Sequence, residues 1–182
     1  FGDRWSRAKE SSQNGICAFG FEASPVHVPR LRAVEKAYND VGWRVKFFVP
    51  YAVSNEEGKT IKLNLNANHN LGASAVWKNE NKSTREAVNV PTLDLAHFVN
   101  EVIRPRIYDS TKFPKARVLM KMDIEGSEFH VLPHLLKNGI LCKGVIDRMF
   151  IEWHYDYVDE GKPKRNWILS HIKNSTWCPG GV

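Results

Sequence analysis

The chain has 182 residues, 42% hydrophobic and 25% charged, a balance that gives a folded domain with a real core and excludes a disordered chain. No apolar run approaches the ~18 residues that span a bilayer, and no signal-peptide pattern opens the chain at Phe1. The formal charge is +6, but the basic residues are scattered, which reads as a solvated surface ahead of a nucleic-acid partner.

In chain order, FGDRWSRAKE reads as helix and SSQNG as a polar break. ICAFGF (16–21) is a short apolar run of the kind found in strands covered on both faces, with Cys17 in the core, and it stops at Glu22. Pro29 suits a first helical turn. Leu31, Val34, Ala37 and Tyr38 recur at helical spacing until Asn39, Asp40 and Gly42 end the helix. VKFFV (45–49) is a second strand, leading into YAVSN, and TIKLNL (60–65) alternates as a half-exposed strand. From Asn66 to Glu86 the chain is polar and Asn-rich, a long loop of the kind that tends to be functional or mobile. VNVP precedes a helix from Leu93 to Ile103, with Thr92 as its N-cap. RVLMKMDI (117–124) is the third strong strand. EFHVLPHLLKNG is the helix after it, with a kink or fresh start at Pro133. DRMFIEWH (147–154) is the fourth strand. KRNWILSHIKN follows as a helix with Trp167, Ile168, His171 and Ile172 on one face. Strands alternating with helices predict an α/β, mostly parallel sheet in a single domain over residues 1–182.

Cys17, Cys142 and Cys178 are isolated and support neither a zinc site nor a disulfide framework. Asn81-Lys82-Ser83 and Asn174-Ser175-Thr176 match the glycosylation sequon, which arises often by chance.

Ligands of open α/β sheets bind beyond the carboxyl ends of the strands. Those exits hold Glu22, Tyr51 to Ser54, Asp123 to Glu125, and Glu152 with His154; acids at three exits point to a shared polar pocket. Glu22 stands where nucleotide-binding folds place the acid that accepts ribose hydroxyls, about 20 residues past a glycine-rich turn, and is equally a surface acid opening a loop. Gly126 permits a sharp turn and a close approach to a ligand. Glu125, Ser127 and Glu128 fall at a helix start, where carboxylates meet the positive dipole end. That accounts for Glu128 without a function. It does not account for Asp123, which follows Met120 and Met122. His154 is a candidate base or a structural histidine. Asp123, Glu125, Glu152 and His154 offer hard ligands for a divalent ion, but no spacing demands one and no metal is assigned.

KMDIEGSEFHVL resembles the signature of FkbM-type methyltransferases, Lys-x-Asp-x-Glu-Gly-x-Glu followed by an apolar pair: Lys121, Asp123, Glu125, Gly126, Glu128, Val131 and Leu132 match. AFGFEASP resembles the family's second-strand segment through Glu22 and Pro25. Ala52-Val53-Ser54, VPTLDLAHFV and FIEWH resemble later segments in the family's order, so the likeness runs from about Phe19 to His154. It implies a Rossmann-like class I methyltransferase fold that uses S-adenosylmethionine to methylate a hydroxyl of a sugar or other small molecule. Glu22 would hold the cofactor's ribose, with Ser24 among the cofactor-binding residues, Ala52 and Val53 near the adenine, and Asp123 at the methionine end. Asp123 and His154 are the candidate bases, and Glu125 is within reach of the substrate.

The family's first strand and glycine-rich loop do not occur in these residues. The expectation is therefore a piece of a methyltransferase domain, truncated at both ends and inactive by itself. Its compartment is open: cytoplasmic, or the secretory pathway if an anchor lies upstream. Two other readings are a non-catalytic glycan- or protein-binding module that uses the Asn-rich loop, and a metal-dependent hydrolase on the acidic exits. Nucleic-acid methylation ranks low, since no Asn-Pro-Pro-Tyr-like motif or dense basic stripe occurs.

Overall fold

The computed structural model describes residues 16–65, 73–75, 87–108, 117–142 and 144–174, and the chain divides into two units, Phe1–Tyr51 and Ala52–Val182. The expected N-terminal helix, the Asn81 sequon and the C-terminal STWCPGGV beyond Asn174 lie outside the described residues.

In the first unit, β1 (Cys17–Phe21) lies parallel to β2 (Arg44–Phe48), from Cys17 opposite Arg44 to Phe21 opposite Phe48. α1 (Val28–Asp40) connects them, with Pro29 in its first turn as predicted. Its side chains cover the edge of β2. Asn39 donates to Val45 O at 3.0 Å and accepts from Val45 N–H at 2.9 Å, and Arg32 donates to Phe47 O at 2.9 Å. Such contacts satisfy a strand edge that would otherwise be open for pairing. Phe21 and Phe48 stack at 5.2 Å between ring centroids. Gly20 lies under Phe47, where a Cβ would run into the ring. The expectation that β1 is covered on both faces fails at its start, where Cys17 and Ala18 are exposed; Cys17 is a free, exposed thiol, not a core residue. The helix packs on β2, which leaves the start of β1 without that cover.

In the second unit, β3 (Ala52–Ser54) runs parallel to β6 (Ala87–Asp94). β4 (Thr60–Leu65) pairs antiparallel with β6 and with β5 (Ala73–Ser74), giving the order β3-β6-β4-β5. β5 thus falls inside the stretch expected to be loop; 66–72 and 76–86 lie outside the described residues. The predicted alternation of β4 holds: Leu63 is buried and Lys62 exposed. α2 (Leu95–Phe98) continues through a π-helical turn (Val99–Ile103) into α3 (Arg104–Tyr108). Its N-cap is Asp94, not Thr92. The Asp94 carboxylate accepts from Ala96 N–H at 2.8 Å and His97 N–H at 3.1 Å. Thr92 is still in the strand, with its hydroxyl and backbone tied to Lys59.

β7 (Leu119–Met122) and β8 (Arg148–Ile151) form a separate parallel pair. α4 (Glu128–Lys137) joins them and runs through Pro133 as one helix. α5 (Gly161–Asn174) follows. Leu132, Leu135, Ile140 and Ile168 are fully buried and form the heart of this unit's core; each such side chain contributes about 1.5–3 kcal/mol by leaving water. Of the four residues expected on one face of the last helix, Ile168 is buried, and Trp167 is exposed and lies against His171. Cys142 is disulfide-bonded, a link that isolated cysteines did not announce. Among the described residues, three strand pairs are parallel and two antiparallel, a mixed α/β fold of the expected Rossmann-like kind.

Candidate active site

β7 delivers Lys121 and Asp123 to its carboxyl end, and the chain then turns sharply. Glu125 (φ +53°) and Gly126 (φ +100°) both take left-handed backbone, closed by Ser127 N–H on Ile124 O at 3.1 Å. Glycine adopts this conformation at no cost; glutamate does not. The turn is held by the first residue of α4. Glu128 is 0% exposed, and its carboxylate accepts from Ile124 N–H on Oε1 and from Gly126 N–H on Oε2, both at 2.9 Å. Expected only to face the helix dipole, Glu128 proves to be the support of the whole turn.

The adjacent strand supplies the other half. The ladder carries past β8, with Glu152 N–H on Met122 O at 2.9 Å, and so brings Glu152 and His154 beside Asp123. His154 is 12% exposed. Its Nδ1 lies 3.0 Å from Glu128 Oε1, while its Nε2 faces Glu125 Oε2 at 3.6 Å and Asp123 Oδ1 at 3.9 Å. Tyr157 stacks on the ring at 5.3 Å.

The charges are not equivalent. Lys121 Nζ lies 2.9 Å from Asp123 Oδ2 and 3.8 Å from Glu152 Oε2. Burial pushes the Asp123 carboxyl up, but the hydrogen bond and charge of Lys121, helped by Glu152 and His154, hold it below the usual aspartate range. Glu125 goes the other way. Burial raises it, His154 pulls against that, and the nearby Asp123, Glu128 and Glu152 add to the rise. The Lys121 ammonium is raised by its hydrogen bond to Asp123. One ligand atom each from Asp123, Glu152 and His154 lies within 4.8 Å of the others, a spacing that would admit a divalent ion, although Lys121 already brings a cation to two of the three.

The structure therefore brings Asp123, Glu125 and His154 together as predicted. Glu152, expected at the same strand exit as His154, joins them, and the structure adds Lys121 and Glu128, which the sequence analysis matched to the motif without a site role. One signal for Glu128 was present: it shares helical spacing with Val131, Leu132 and Leu135, which puts an acid on the apolar face of α4. The remaining predicted residues lie elsewhere. In the first unit, Glu22 follows β1, its Oε1 accepting from Ser24 N–H at 2.7 Å, and Ser24 is buried. Ala52 and Val53 lie on β3 opposite Thr92 and Leu93; Ala52 is buried and Val53 half-buried.

No helix among the described residues is long and apolar enough to cross a membrane. A search of curated proteins finds no match, nor does a search of solved structures. The family model of the methyltransferase FkbM domain matches residues 2–174, a span that contains the acidic turn, its histidine and every strand and helix described above. On that match and the mixed α/β fold that carries it, the chain belongs to the FkbM methyltransferase family.

Proposed function

We propose that the protein is an S-adenosylmethionine-dependent O-methyltransferase whose acceptor is a hydroxyl on a sugar or other small molecule. The observation that carries this reading is His154 Nε2, which faces two carboxylates at the joint carboxyl ends of β7 and β8. An imidazole there can take a hydroxyl proton, and general-base catalysis is worth about 10²–10⁴-fold. Asp123, engaged by Lys121, acts as a fixed negative charge, and Glu125 lies beside His154 to receive the substrate.

The donor set suits the cofactor, because carboxylates accept hydrogen bonds from ribose hydroxyls and attract an ammonium or sulfonium. Glu22 and Ser24 would serve the ribose, Ala52 and Val53 the adenine, and Asp123 the methionine end. When bound, S-adenosylmethionine supplies an electrophilic methyl group, and the residues contribute in-line alignment and proton removal. The family match runs across both units, which supports one methyltransferase domain over residues 1–182.

Two measurements test the reading. Calorimetry with S-adenosylhomocysteine should show binding, weakened about tenfold or more by Glu22→Ala. Methyl-labelled S-adenosylmethionine with a panel of sugars and small alcohols should give a labelled product. His154→Gln should then lower turnover by about 10²-fold or more while leaving S-adenosylhomocysteine affinity within about twofold. Absence of any binding to a protein that carries this chain together with the family's first strand and glycine-rich loop sinks the cofactor assignment.

A further inference from the structure

We propose that Glu128 is a positioning residue that fixes His154 in the tautomer with the proton on Nδ1, so that Nε2 is the nitrogen that accepts the substrate proton. This rests on the reading of His154 as the base. Glu128 is fully buried, yet its carboxylate is surrounded by donors. The N–H groups of Ile124 and Gly126 approach from the turn at 2.9 Å each, and the imidazole Nδ1 approaches Oε1 at 3.0 Å. Backbone N–H groups only donate, so both oxygens are committed as acceptors, and Nδ1–H completes the set as a third donor. A neutral imidazole carries a single N–H. With that proton on Nδ1, Nε2 keeps its lone pair, and Nε2 is the atom turned towards Asp123 and Glu125.

The same carboxylate therefore does two things. It braces the turn in which Glu125 holds its φ of +53°, and it sets the proton position on His154. The coupling gives a reason for a fully buried acid at the first position of α4, directly after the cap residue Ser127.

In methyl transfer, His154 Nε2 would take the proton of the acceptor hydroxyl as its oxygen gains the methyl group. S-adenosylmethionine, when bound, would supply that methyl from its sulfonium, with the bond's electron pair left on the departing neutral thioether. The imidazolium left behind keeps Nδ1–H on Glu128 and faces the carboxylates of Asp123 and Glu125, and it returns the Nε2 proton to solvent afterwards. Carboxylate–histidine pairs orient imidazoles in this way in general-base sites.

The test is nitrogen-15 NMR of the full chain labelled at histidine, with the His154 ring assigned by its loss in His154→Gln, at a pH where the ring is neutral. The expected spectrum has a protonated Nδ1 and a bare Nε2. Glu128→Ala should shift the ring towards the Nε2–H form or a mixture. A wild-type ring with its proton on Nε2 overturns the proposal, as does a Glu128→Ala ring unchanged from wild type. If Glu128→Ala does not fold, the wild-type spectrum alone decides. Calorimetry with S-adenosylhomocysteine on a protein that carries this chain together with the family's first strand and glycine-rich loop keeps the two readings apart: an Nδ1–H ring with no S-adenosylhomocysteine bound there leaves the tautomer assignment standing and removes the cofactor assignment.

Discussion

Glu125 carries two burdens in one residue. Its backbone sits in the left-handed region, a conformation that costs a non-glycine residue about 1–3 kcal/mol. Its carboxyl is raised by burial and by the acids around it, against the pull of His154. The linkage sign follows. Below the ordinary glutamate range both folded and unfolded chains hold the proton, and Glu125 contributes nothing. As pH rises through that range the unfolded chain ionises first, so the folded state binds more protons and loses stability until its own carboxyl ionises. Glu125→Gln keeps the strained backbone and removes the charge. Its melting temperature should therefore exceed that of wild type by a margin that widens from pH 4 to pH 8, as read by thermal unfolding across that range. A constant margin would show that the raised carboxyl is not the cause. The strand exits and their two motifs made Asp123, Glu125 and His154 legible in sequence. Glu128 matched the first motif and shared helical spacing with apolar residues, but a carboxylate at a helix start already has an adequate local explanation. Only the three-dimensional approach of His154, 26 positions later, reveals the second one.

At the scale of elements, the join between β6 and α2 shows where sequence reading stops. VPTLDLAHF has two capping residue types, Thr92 and Asp94, and either fits a helix start. Strand pairing decides between them. Thr92 is opposite Ala52 and Asp94 opposite Ser54, so the strand continues to Asp94 and the cap shifts with it. Asp94 also accepts from His134 Nε2 at 3.0 Å on both oxygens, tying α2 to α4. A lost cap costs about 1 kcal/mol, and a lost charged hydrogen bond a further 1.5–3 kcal/mol. Asp94→Ala should therefore destabilise the fold by about 2–4 kcal/mol in urea unfolding, with Asp94→Asn losing less because an amide oxygen can still cap. Losses below about 1 kcal/mol would mean that His134 contributes nothing to the join. Element types were legible from periodicity, as α1, β4 and α4 demonstrate. Burial was not: β1 reads as a buried strand, yet exposes Cys17 and Ala18, since hydrophobicity does not say which helix covers which strand.

The distribution of buried side chains has a consequence for the whole molecule. Among the described residues, the first unit buries only Ser24 and Val49, whereas the other buried side chains, from Ala52 to Ile168, all belong to the second. The described part of this unit, two strands and one α-helix, has less core than a domain needs to fold alone. Its internal ties are mainly exposed ones, such as Lys36 with Asp40 and Lys46 with Glu35, and pairs of that kind are worth about 0–1 kcal/mol each. Residues 1–51 made as a separate peptide should therefore show the far-UV circular dichroism of an unfolded chain, whereas 52–182 should keep helical and strand signal. If residues 1–182 form one methyltransferase domain, the full chain should unfold in a single calorimetric transition. S-adenosylhomocysteine at 100 times its Kd should then raise that transition by the equivalent of about 2.7 kcal/mol. Cooperative unfolding of the isolated 1–51 peptide would defeat the argument, because it would mean that this unit draws stability from something other than its buried side chains.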